Sequence, residues 1–453
     1  MLKHLAFTNF KSWPEAKLGL APITGLFGTN SSGKTSILQF LLLLKQTKDA
    51  TDRGLSLELN GSYVQLGTIR DAIHRHDEAN RLKFEMSFKV GDALTLQDPT
   101  GKKTQSIASG HDVTYAAEIA IHQKAPRAER LAYGLDGLTF SLERGKGKER
   151  EFDLKATPDD RFRFTRTQGR PWGLPGPIKA YAFPDQARTY FQNAAFLADL
   201  EAAYEREMDS LYYLGPLRDY PQRDYLWARS QPTDVGRRGE KAIDAILSAT
   251  EAGAKLNLQP KTRLLPFQRM VAHWLRELGL IHSFSVKEIK EGTNRWQALV
   301  VTREGGAEVL LTDVGFGVSQ VLPVITLLLY VPEGSTVILE QPEIHLHPLA
   351  QANLADVIIY AAKRRQVQVI VESHSEHLLL RLQRRIAETT LSADDVKLYF
   401  SDAPEGVSKL TSLDLDLFGN IRNWPPNFMG DAFGETAEAE RARLKRMRAQ
   451  AAE

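Results

Sequence analysis

The sequence of 453 residues contains no cysteine. Disulfide bonds, thiolate zinc sites and cysteine nucleophiles are therefore excluded. A charge excess of either sign is also missing, because 58 basic and 56 acidic residues give a formal net charge of +2. Because the overall charge is close to zero, any surface that attracts nucleic acid or a membrane has to be a local patch.

Long hydrophobic runs are absent as well. The apolar runs near Leu41 and Leu327 are shorter than the roughly 20 residues that cross a bilayer. The first residues have neither the apolar stretch nor the cleavage site of a signal peptide. With 42% hydrophobic and 25% charged residues, the composition is that of a globular protein with two or three domains. We expect a cytoplasmic protein with no membrane association.

One stretch fits the pattern G-x-x-x-x-G-K-[ST], the Walker A motif or phosphate loop. It consists of Gly28, Thr29, Asn30, Ser31, Ser32, Gly33, Lys34 and Thr35, followed by Ser36. A short apolar segment before it predicts a buried strand, and the apolar segment after it predicts a helix. The glycines let the backbone wrap a phosphate, and the helix N-terminus adds N–H donors. Lys34 is expected to contact the β- and γ-phosphates and Thr35 to bind Mg²⁺. The motif predicts nucleotide binding.

The rest of the chain predicts an α/β protein with two kinds of sheet. Alternating segments between about residues 55 and 167 predict antiparallel strands, the last at 161–165. Apolar strands alternate with helices in the last third, which predicts parallel strands joined by crossover helices. Helices are predicted at 185–211 and 240–278, followed by a hairpin around Gly292.

These patterns suggest five segments. They are an N-terminal lobe with the phosphate loop (1–75), an antiparallel β region of that lobe (76–170), a helical insertion (171–282), a C-terminal lobe with parallel strands (283–430) and a charged tail (431–453).

Three further motifs follow the phosphate loop. A glycine-rich stretch with Gly315, Gly317 and Ser319 opens a predicted helix and forms a second candidate anion site. An apolar strand then ends in Glu340, Gln341, Pro342 and Glu343, and the next strand ends shortly before His374.

This order of motifs resembles that of ABC-type ATPases, in the branch that contains SMC, RecF and OLD-like proteins. Segments 213–218, 342–348 and 372–378 are similar to AAA-family ATPases of bacterial anti-phage defence systems. The resemblance implies a two-lobed head that binds ATP and Mg²⁺, and a homodimer or higher homo-oligomer in which ATP lies between two heads. The phosphate loop of each head would face the signature (Gly315, Gly317, Ser319) of the other.

The resemblance also implies roles for single residues. Glu340 matches the magnesium-associated acid and His374 the sensor of the γ-phosphate, while Gln65 is a weaker match to the glutamine that contacts the metal. At position 340 the family usually has aspartate, which is shorter by one bond of about 1.5 Å. The next position usually holds the glutamate that activates water, but Gln341 cannot accept a proton. Losing a general base typically costs about 10² to 10⁴ in rate, so slow hydrolysis is expected unless Glu343 substitutes.

The implied role is an ATP-dependent switch or scaffold in anti-phage defence. About eighty residues follow His374, too few for the toprim nuclease domain of OLD-type proteins. The resemblance therefore implies a separate effector protein, a nuclease encoded nearby.

Several alternatives stay open. The protein is instead a RecF-like ATPase that clamps DNA, or an assembly hub that binds ATP without hydrolysing it. Basic residues at 363–365 and 381–385 form a solvated helix face or contact DNA phosphates. Arg218 and Arg223 act at the ATP site or on DNA. Glu343, His345 and His347 are loop residues or metal ligands, and the signature is functional or an ordinary loop–helix junction.

Overall fold

The computed structural model describes residues 1–99, 106–145, 151–169, 173–425 and 438–444. Within them, the strands are β1 (Leu2–Phe10), β2 (Trp13–Gly19), β3 (Ile23–Gly28), β4 (Leu82–Gln97), β5 (Ser106–His122), β6 (Ala125–Leu135), β7 (Leu138–Arg144), β8 (Phe152–Thr157), β9 (Leu211–Leu214), β10 (Tyr225–Leu226), β11 (Lys255–Leu256), β12 (Leu265–Pro266), β13 (Ser283–Glu288), β14 (Arg295–Val301), β15 (Val309–Leu310), β16 (Thr336–Glu340), β17 (Gln368–Glu372), β18 (Val396–Asp402) and β19 (Lys409–Leu413).

The α-helices are fewer. They are α1 (Lys34–Asp49), α2 (Ile69–Ala72), α3 (Asp185–Tyr190), α4 (Leu197–Asp209), α5 (Ala242–Glu251), α6 (Phe267–Glu277), α7 (Phe316–Tyr330), α8 (Pro348–Arg364) and α9 (Glu376–Ala387). No helix of the described ranges is both long and apolar enough to cross a bilayer.

Two large sheets dominate the fold. The first has seven strands in the order β2-β1-β4-β5-β6-β7-β8, and each neighbouring pair is antiparallel. The second has six strands in the order β19-β18-β3-β17-β16-β9, and all of its pairs are parallel except β18 with β19. The predicted α/β class, with an antiparallel and a parallel part, is confirmed.

The parallel sheet separates two hydrophobic cores. Alternate side chains of one strand point to opposite faces, so Ile338 joins the core shared with α1, α4 and the antiparallel sheet. Its neighbours Val337 and Leu339 join the core that contains α5 to α9. Both faces are thus covered, which explains why the central strands β3, β16 and β17 are buried along nearly their whole length.

The sheet order differs from the predicted lobes in two respects. The strand before the phosphate loop, β3, lies between β17 and β18 in the parallel sheet rather than with the antiparallel strands. Strand β9, from the predicted helical insertion, forms the edge beside β16. The carboxyl ends of β3, β9, β16 and β17 therefore meet at one edge of the sheet, where ligands of open α/β sheets usually bind.

The prediction of a strand at 161–165 is wrong. Residues 161–165 form no strand. The side chain of Asn193 binds two of their backbone groups, and the Thr165 carbonyl accepts from the Gln192 amide at 2.9 Å. The Oδ1 of Asn193 accepts from the Thr165 amide at 2.9 Å, and its Nδ2 donates to the Arg163 carbonyl at 2.9 Å.

Both long helices predicted for the insertion are interrupted. The first divides into α3 and α4 at 191–196, the segment that contains Asn193. The second ends at Glu251, two residues before Gly253, whose φ of 68° lets the chain turn into the hairpin β11–β12. The predicted boundary at 170/171 and most of the predicted tail lie outside the described residues.

Candidate nucleotide-binding site

The phosphate loop connects β3 to α1, and two of its positions require glycine. Gly28 has φ 143°, and a Cβ there would lie 2.0 Å from the Ser401 carbonyl oxygen. Gly33 has φ 89°, and its Cβ would lie 2.7 Å from Nε1 of Trp13, which donates to the Gly33 carbonyl at 3.0 Å. Neighbouring strands thus hold both ends of the loop.

The middle of the loop is open to a ligand, whereas its base is fixed. Thr29, Asn30 and Ser31 are exposed, while Ser32 is fully buried and its carbonyl accepts from the Ser401 hydroxyl at 2.7 Å. The Ser36 amide donates to the Gly33 carbonyl at 3.0 Å and so begins the turn into α1.

Lys34 lies inside the loop. Its Nζ donates to the carbonyls of Gly28 at 3.1 Å and Thr29 at 2.7 Å. Burial lowers the pKa of Lys34, and the negative charge of Glu372 partly opposes this effect. A buried ammonium held only by carbonyls is a strong candidate for exchange onto phosphate oxygens.

Thr35 contacts an acid that the motif analysis did not select. Its hydroxyl donates to both carboxylate oxygens of Glu372, at 3.0 and 2.9 Å. Glu372 ends β17 directly opposite Glu340, which ends β16. The signal for Glu372 was available, because it follows an apolar strand in the same way as Glu340.

Burial raises the pKa of both carboxylates, and a neighbouring negative charge adds to the effect in each, that of Glu372 on Glu340 and that of Glu343 on Glu372. Burial and the charge of Glu372 raise the pKa of Glu340 to about 7, although the hydroxyl of Tyr213 donates to its Oε1 at 3.0 Å. Burial also raises the pKa of Glu372. A divalent cation would relieve this repulsion, and the hydroxyl and carboxylate oxygens of Thr35, Glu372 and Glu340 are the ligand type that Mg²⁺ prefers.

The residues thus fit Mg²⁺ that arrives with a nucleotide. Within the described ranges, no group of three or more His, Cys, Asp or Glu residues would hold a metal by itself. Gln65 is exposed and makes no hydrogen bond with Thr35 or Glu340 in the described structure. Two residues before it, the ring of Tyr63 lies 6.5 Å from that of Tyr213, centroid to centroid.

Glu343 connects the segment 340–347 at the end of β16, here called the acidic loop, with the loop 373–375 after β17, which contains His374. Its Oε1 accepts from the Ser373 hydroxyl and the His374 amide, both at 2.8 Å. Its Oε2 is buried and has no hydrogen-bond partner among the described residues. Burial raises the pKa of Glu343, so its carboxyl group holds a proton more readily than an exposed glutamate.

Gln341 and His374 follow neighbouring strands at this edge. The amide of Gln341 donates to the Glu372 carbonyl at 2.8 Å, so this residue is still bonded to β17. Its φ of 43° then turns the chain away from the sheet. Burial, followed by the charge of Lys34, lowers the pKa of His374 and favours the neutral imidazole.

The signature starts α7. Gly315 immediately precedes the helix, and Gly317 lies so close to the His345 carbonyl that a Cβ would come within 3.1 Å. Ser319 is 6% exposed, and its hydroxyl donates to the Phe316 carbonyl at 2.7 Å. No hydrogen bond joins the signature to the phosphate loop in the described part of this chain.

The remaining candidates are mostly engaged locally. His347 caps α8, its Nδ1 accepting from the Leu349 amide at 3.4 Å, and the ring of His345 contacts Phe316. Arg381 and Arg385 both form ion pairs with Asp356. These pairs favour a helix surface over a DNA-binding face for this basic cluster.

A family model described as "AAA domain, putative AbiEii toxin, Type IV TA system" matches residues 23–381. The chain belongs to this AAA-domain family. The match spans the phosphate loop, the signature, the two acids and His374, and it confirms the predicted membership of the AAA-family ATPases. A second model, described as a protein of unknown function (DUF3696), matches residues 391–438 of the AAA-domain protein. A search of curated proteins found no match.

Solved structures similar to this AAA-domain protein include SMC head domains. The head from Thermotoga maritima is 13% identical, with a TM-score of 0.41 over 91% of this chain and 99% of that one. An SMC head bound to the C-terminal winged-helix domain of ScpA is 12% identical, with a TM-score of 0.46 over 91% and 98%. A head with an extended coiled coil, bound to the C-terminal domain of ScpA from Pyrococcus furiosus, is 11% identical, with a TM-score of 0.43 over 91% and 96%.

Proposed function

We propose that this AAA-domain protein binds Mg·ATP at the phosphate loop and hydrolyses it slowly, as a switch or scaffold for a separate effector. The observation that carries the proposal is the convergence of Lys34, Thr35, Glu372 and Glu340 at one edge of the parallel sheet. A phosphate loop, a cation and two neighbouring carboxylates are suited to a metal-bound polyphosphate.

Some residues of the site would bind the phosphates, and others would bind the metal. The loop amides and Lys34 bind the β- and γ-phosphates, while Thr35 and the acids Glu340 and Glu372 hold Mg²⁺, directly or through water. Bound Mg²⁺ neutralises charge that develops on the phosphates. His374 would contact the γ-phosphate from the next loop, and its neutral imidazole can donate a hydrogen bond there.

The absence of a glutamate at position 341, where the family usually has its general base, supports slow hydrolysis. Gln341 can orient water but cannot take its proton. Glu343 is the substitute we propose, because its Oε2 is unpartnered and its raised pKa suits a group that accepts a proton near neutral pH. Glu343 also binds the amide of His374, so a Glu343→Gln variant tests the base while keeping an oxygen for this contact.

We propose a homodimer, or a higher homo-oligomer, around ATP, because no hydrogen bond joins the signature to the phosphate loop of the same head among the described residues. The glycines of the signature begin a helix whose N-terminus would receive the γ-phosphate of a second head. Phe316, in the signature, is 37% exposed and would be covered on dimerisation. Gly315, Gly317 and Ser319 act here on the partner's nucleotide.

The proposed setting is anti-phage defence with a separate effector, which we expect to be a nuclease. The description of the matching family, which refers to an AbiEii toxin and a Type IV TA system, supports this setting. Partner binding by a related head has a parallel in the SMC heads, two of which are described as bound to ScpA.

An assembly hub that binds ATP without hydrolysing it is the second candidate, and Gln341 favours it. Phosphate release from Mg·ATP by the purified protein decides between the two, beside Lys34→Ala and a control, Lys17→Ala, which changes an exposed lysine of β2. Slow release that Lys34→Ala abolishes and Lys17→Ala preserves supports the ATPase. Release no higher than that of Lys34→Ala, with ATP binding intact in the unchanged protein, supports the hub.

A further inference from the structure

The segment from Tyr213 to Arg223, here called the linking segment, leaves the carboxyl end of β9 beside the candidate site. Its first residue contacts an acid, because the Tyr213 hydroxyl donates to Glu340. Its backbone is anchored from the other side. The amide of Gly215 donates to the Arg237 carbonyl, and that of Asp219 to the Arg238 carbonyl, both at 2.9 Å.

Arg218 extends from this segment under the acidic loop. Its Nη2 donates to the Glu340 carbonyl at 3.0 Å, and its Nη1 lies 3.4 Å from the Gln341 carbonyl. The residue is only 4% exposed. Burial lowers its pKa to about 10, against the opposing charges of Glu343 and Glu340, so it stays cationic at neutral pH.

A buried guanidinium that binds two consecutive carbonyls fixes the turn they belong to. This turn is unusual, since Gln341 has a positive φ, which costs a non-glycine residue free energy unless its surroundings enforce it. Arg218 Nε is buried without a hydrogen-bond partner among the described residues. The protein thus tolerates an incompletely satisfied buried cation at this position, which indicates a role beyond packing.

The other end of the linking segment lies on the signature. The ring of Tyr220 packs 5.3 Å from that of Phe316, centroid to centroid. Arg223 forms an ion pair with Asp313, two residues before Gly315, at 3.3 Å. Phe316 in turn lies 4.8 Å from the ring of His345, which belongs to the acidic loop.

We propose that the linking segment couples the acidic loop to the start of the signature helix, and that Arg218 is its positioning residue. A shift of Glu340 and Gln341 on nucleotide binding is transmitted through Arg218 to Tyr220 and from there to Phe316. This inference rests on the proposed function. In an ATP-bridged dimer it would make each ATP site sense the other, because the signature of one head serves the nucleotide of its partner.

Hydrogen–deuterium exchange with and without Mg·ATP tests the coupling without depending on turnover. In the unchanged protein, ATP should slow exchange both in the phosphate loop and in the segment 313–320. Arg218→Gln should keep the slowing in the phosphate loop, with ATP affinity changed by less than about threefold, but lose most of it at 313–320. Arg218→Lys should restore part of it, since an ammonium reaches one carbonyl with a charge-assisted bond.

Two further variants make the result specific. Tyr220→Ala changes a ring that is 78% exposed, so it should fold normally and still reduce the response at 313–320. Arg238→Gln removes only an exposed ion pair with Asp219 of the same segment and should behave like the unchanged protein. If hydrolysis is measurable, Arg218→Gln should lower kcat about tenfold or more with little change in KM, which a merely structural role would not do selectively.

Three other results would contradict either the coupling or the proposed function. An unchanged response at 313–320 in both Arg218→Gln and Tyr220→Ala would overturn the coupling. Loss of the phosphate-loop response in Arg218→Gln, together with a lower melting temperature in that variant and Arg218→Lys, would make Arg218 a stabilising residue only. Absence of any ATP effect on the phosphate loop of the unchanged protein would instead refute the proposed function.

Discussion

Glu340 and Glu372 end neighbouring parallel strands in exact register, and each is buried. Only one of them has Thr35 as a partner, whereas the other accepts from Tyr213. Two carboxylates of this kind repel each other in the absence of a cation. This arrangement favours the binding of Mg²⁺ at the position where Thr35 would contact it.

Glu372→Gln should weaken the Mg²⁺-dependent part of ATP binding. The amide keeps an oxygen for the Thr35 hydroxyl but removes the charge, and loss of such a metal-orienting group typically costs about 10- to 100-fold in metal affinity. Titration of a fluorescent ATP analogue with and without Mg²⁺ measures the effect. Glu388→Gln, at the end of α9, is the control. The same Mg²⁺ dependence in both variants would remove Glu372 from the metal site.

Glu340→Gln should stabilise the nucleotide-free protein at alkaline pH. The pKa of Glu340 is raised from 4.5 to about 7 in the folded state, so its favourable contribution to stability is present below pH 4.5 and is lost as the pH rises to about 7. The full difference corresponds to about 3 kcal/mol at most. Thermal melting of the unchanged protein and the variant should diverge between pH 5 and pH 8, with the variant more stable at pH 8. Parallel curves would contradict the buried acid pair.

Gln341→Glu should accelerate hydrolysis. It supplies a carboxylate one position after the metal-associated acid, and a general base is typically worth about 10² to 10⁴ in rate. We expect at least about a tenfold rise in kcat from phosphate release. In the unchanged background Glu343→Gln should lower kcat, whereas in Gln341→Glu it should matter little. If Glu343→Gln leaves turnover unchanged in both backgrounds, Glu343 is not the base.

The positions of the candidate residues that obey local rules could be predicted from the sequence, whereas their roles stay predictions. The phosphate loop, the signature and Glu340 follow apolar segments, and strand ends in a parallel sheet meet at one edge. The same rule applied to β17 selects Glu372, which ends that strand two residues before His374. The contact of Arg218 with Glu340 joins residues 122 positions apart, and no local pattern encodes it.

The failed prediction of a strand at 161–165 also has a specific cause. Residues 161–165 alternate like a strand, yet the amide group of Asn193, almost thirty residues later, binds the Thr165 amide and the Arg163 carbonyl. Alternation reports which side chains face a core, and it does not identify the group that satisfies the backbone. Tertiary contacts of this kind decide between a strand and an extended loop.

Gly28→Ala and Gly315→Ala should separate the two glycine motifs. A Cβ at Gly28 would lie 2.0 Å from the Ser401 carbonyl oxygen at a φ of 143°, so strand β18 or the loop has to move. We expect a loss of about 2 kcal/mol or more in unfolding free energy, and no ATP binding. A Cβ at Gly315 meets no atom within 4 Å at a φ of −55°.

Gly315→Ala should therefore melt like the unchanged protein and bind ATP normally as a monomer. Its effect should be confined to ATP-induced dimerisation, measured by light scattering, because the added methyl group would lie where the partner's γ-phosphate approaches the helix N-terminus. If Gly315→Ala dimerises with ATP as the unchanged protein does, the start of α7 is an ordinary loop–helix junction. If Gly28→Ala binds ATP with unchanged stability, the phosphate loop does not have the conformation described.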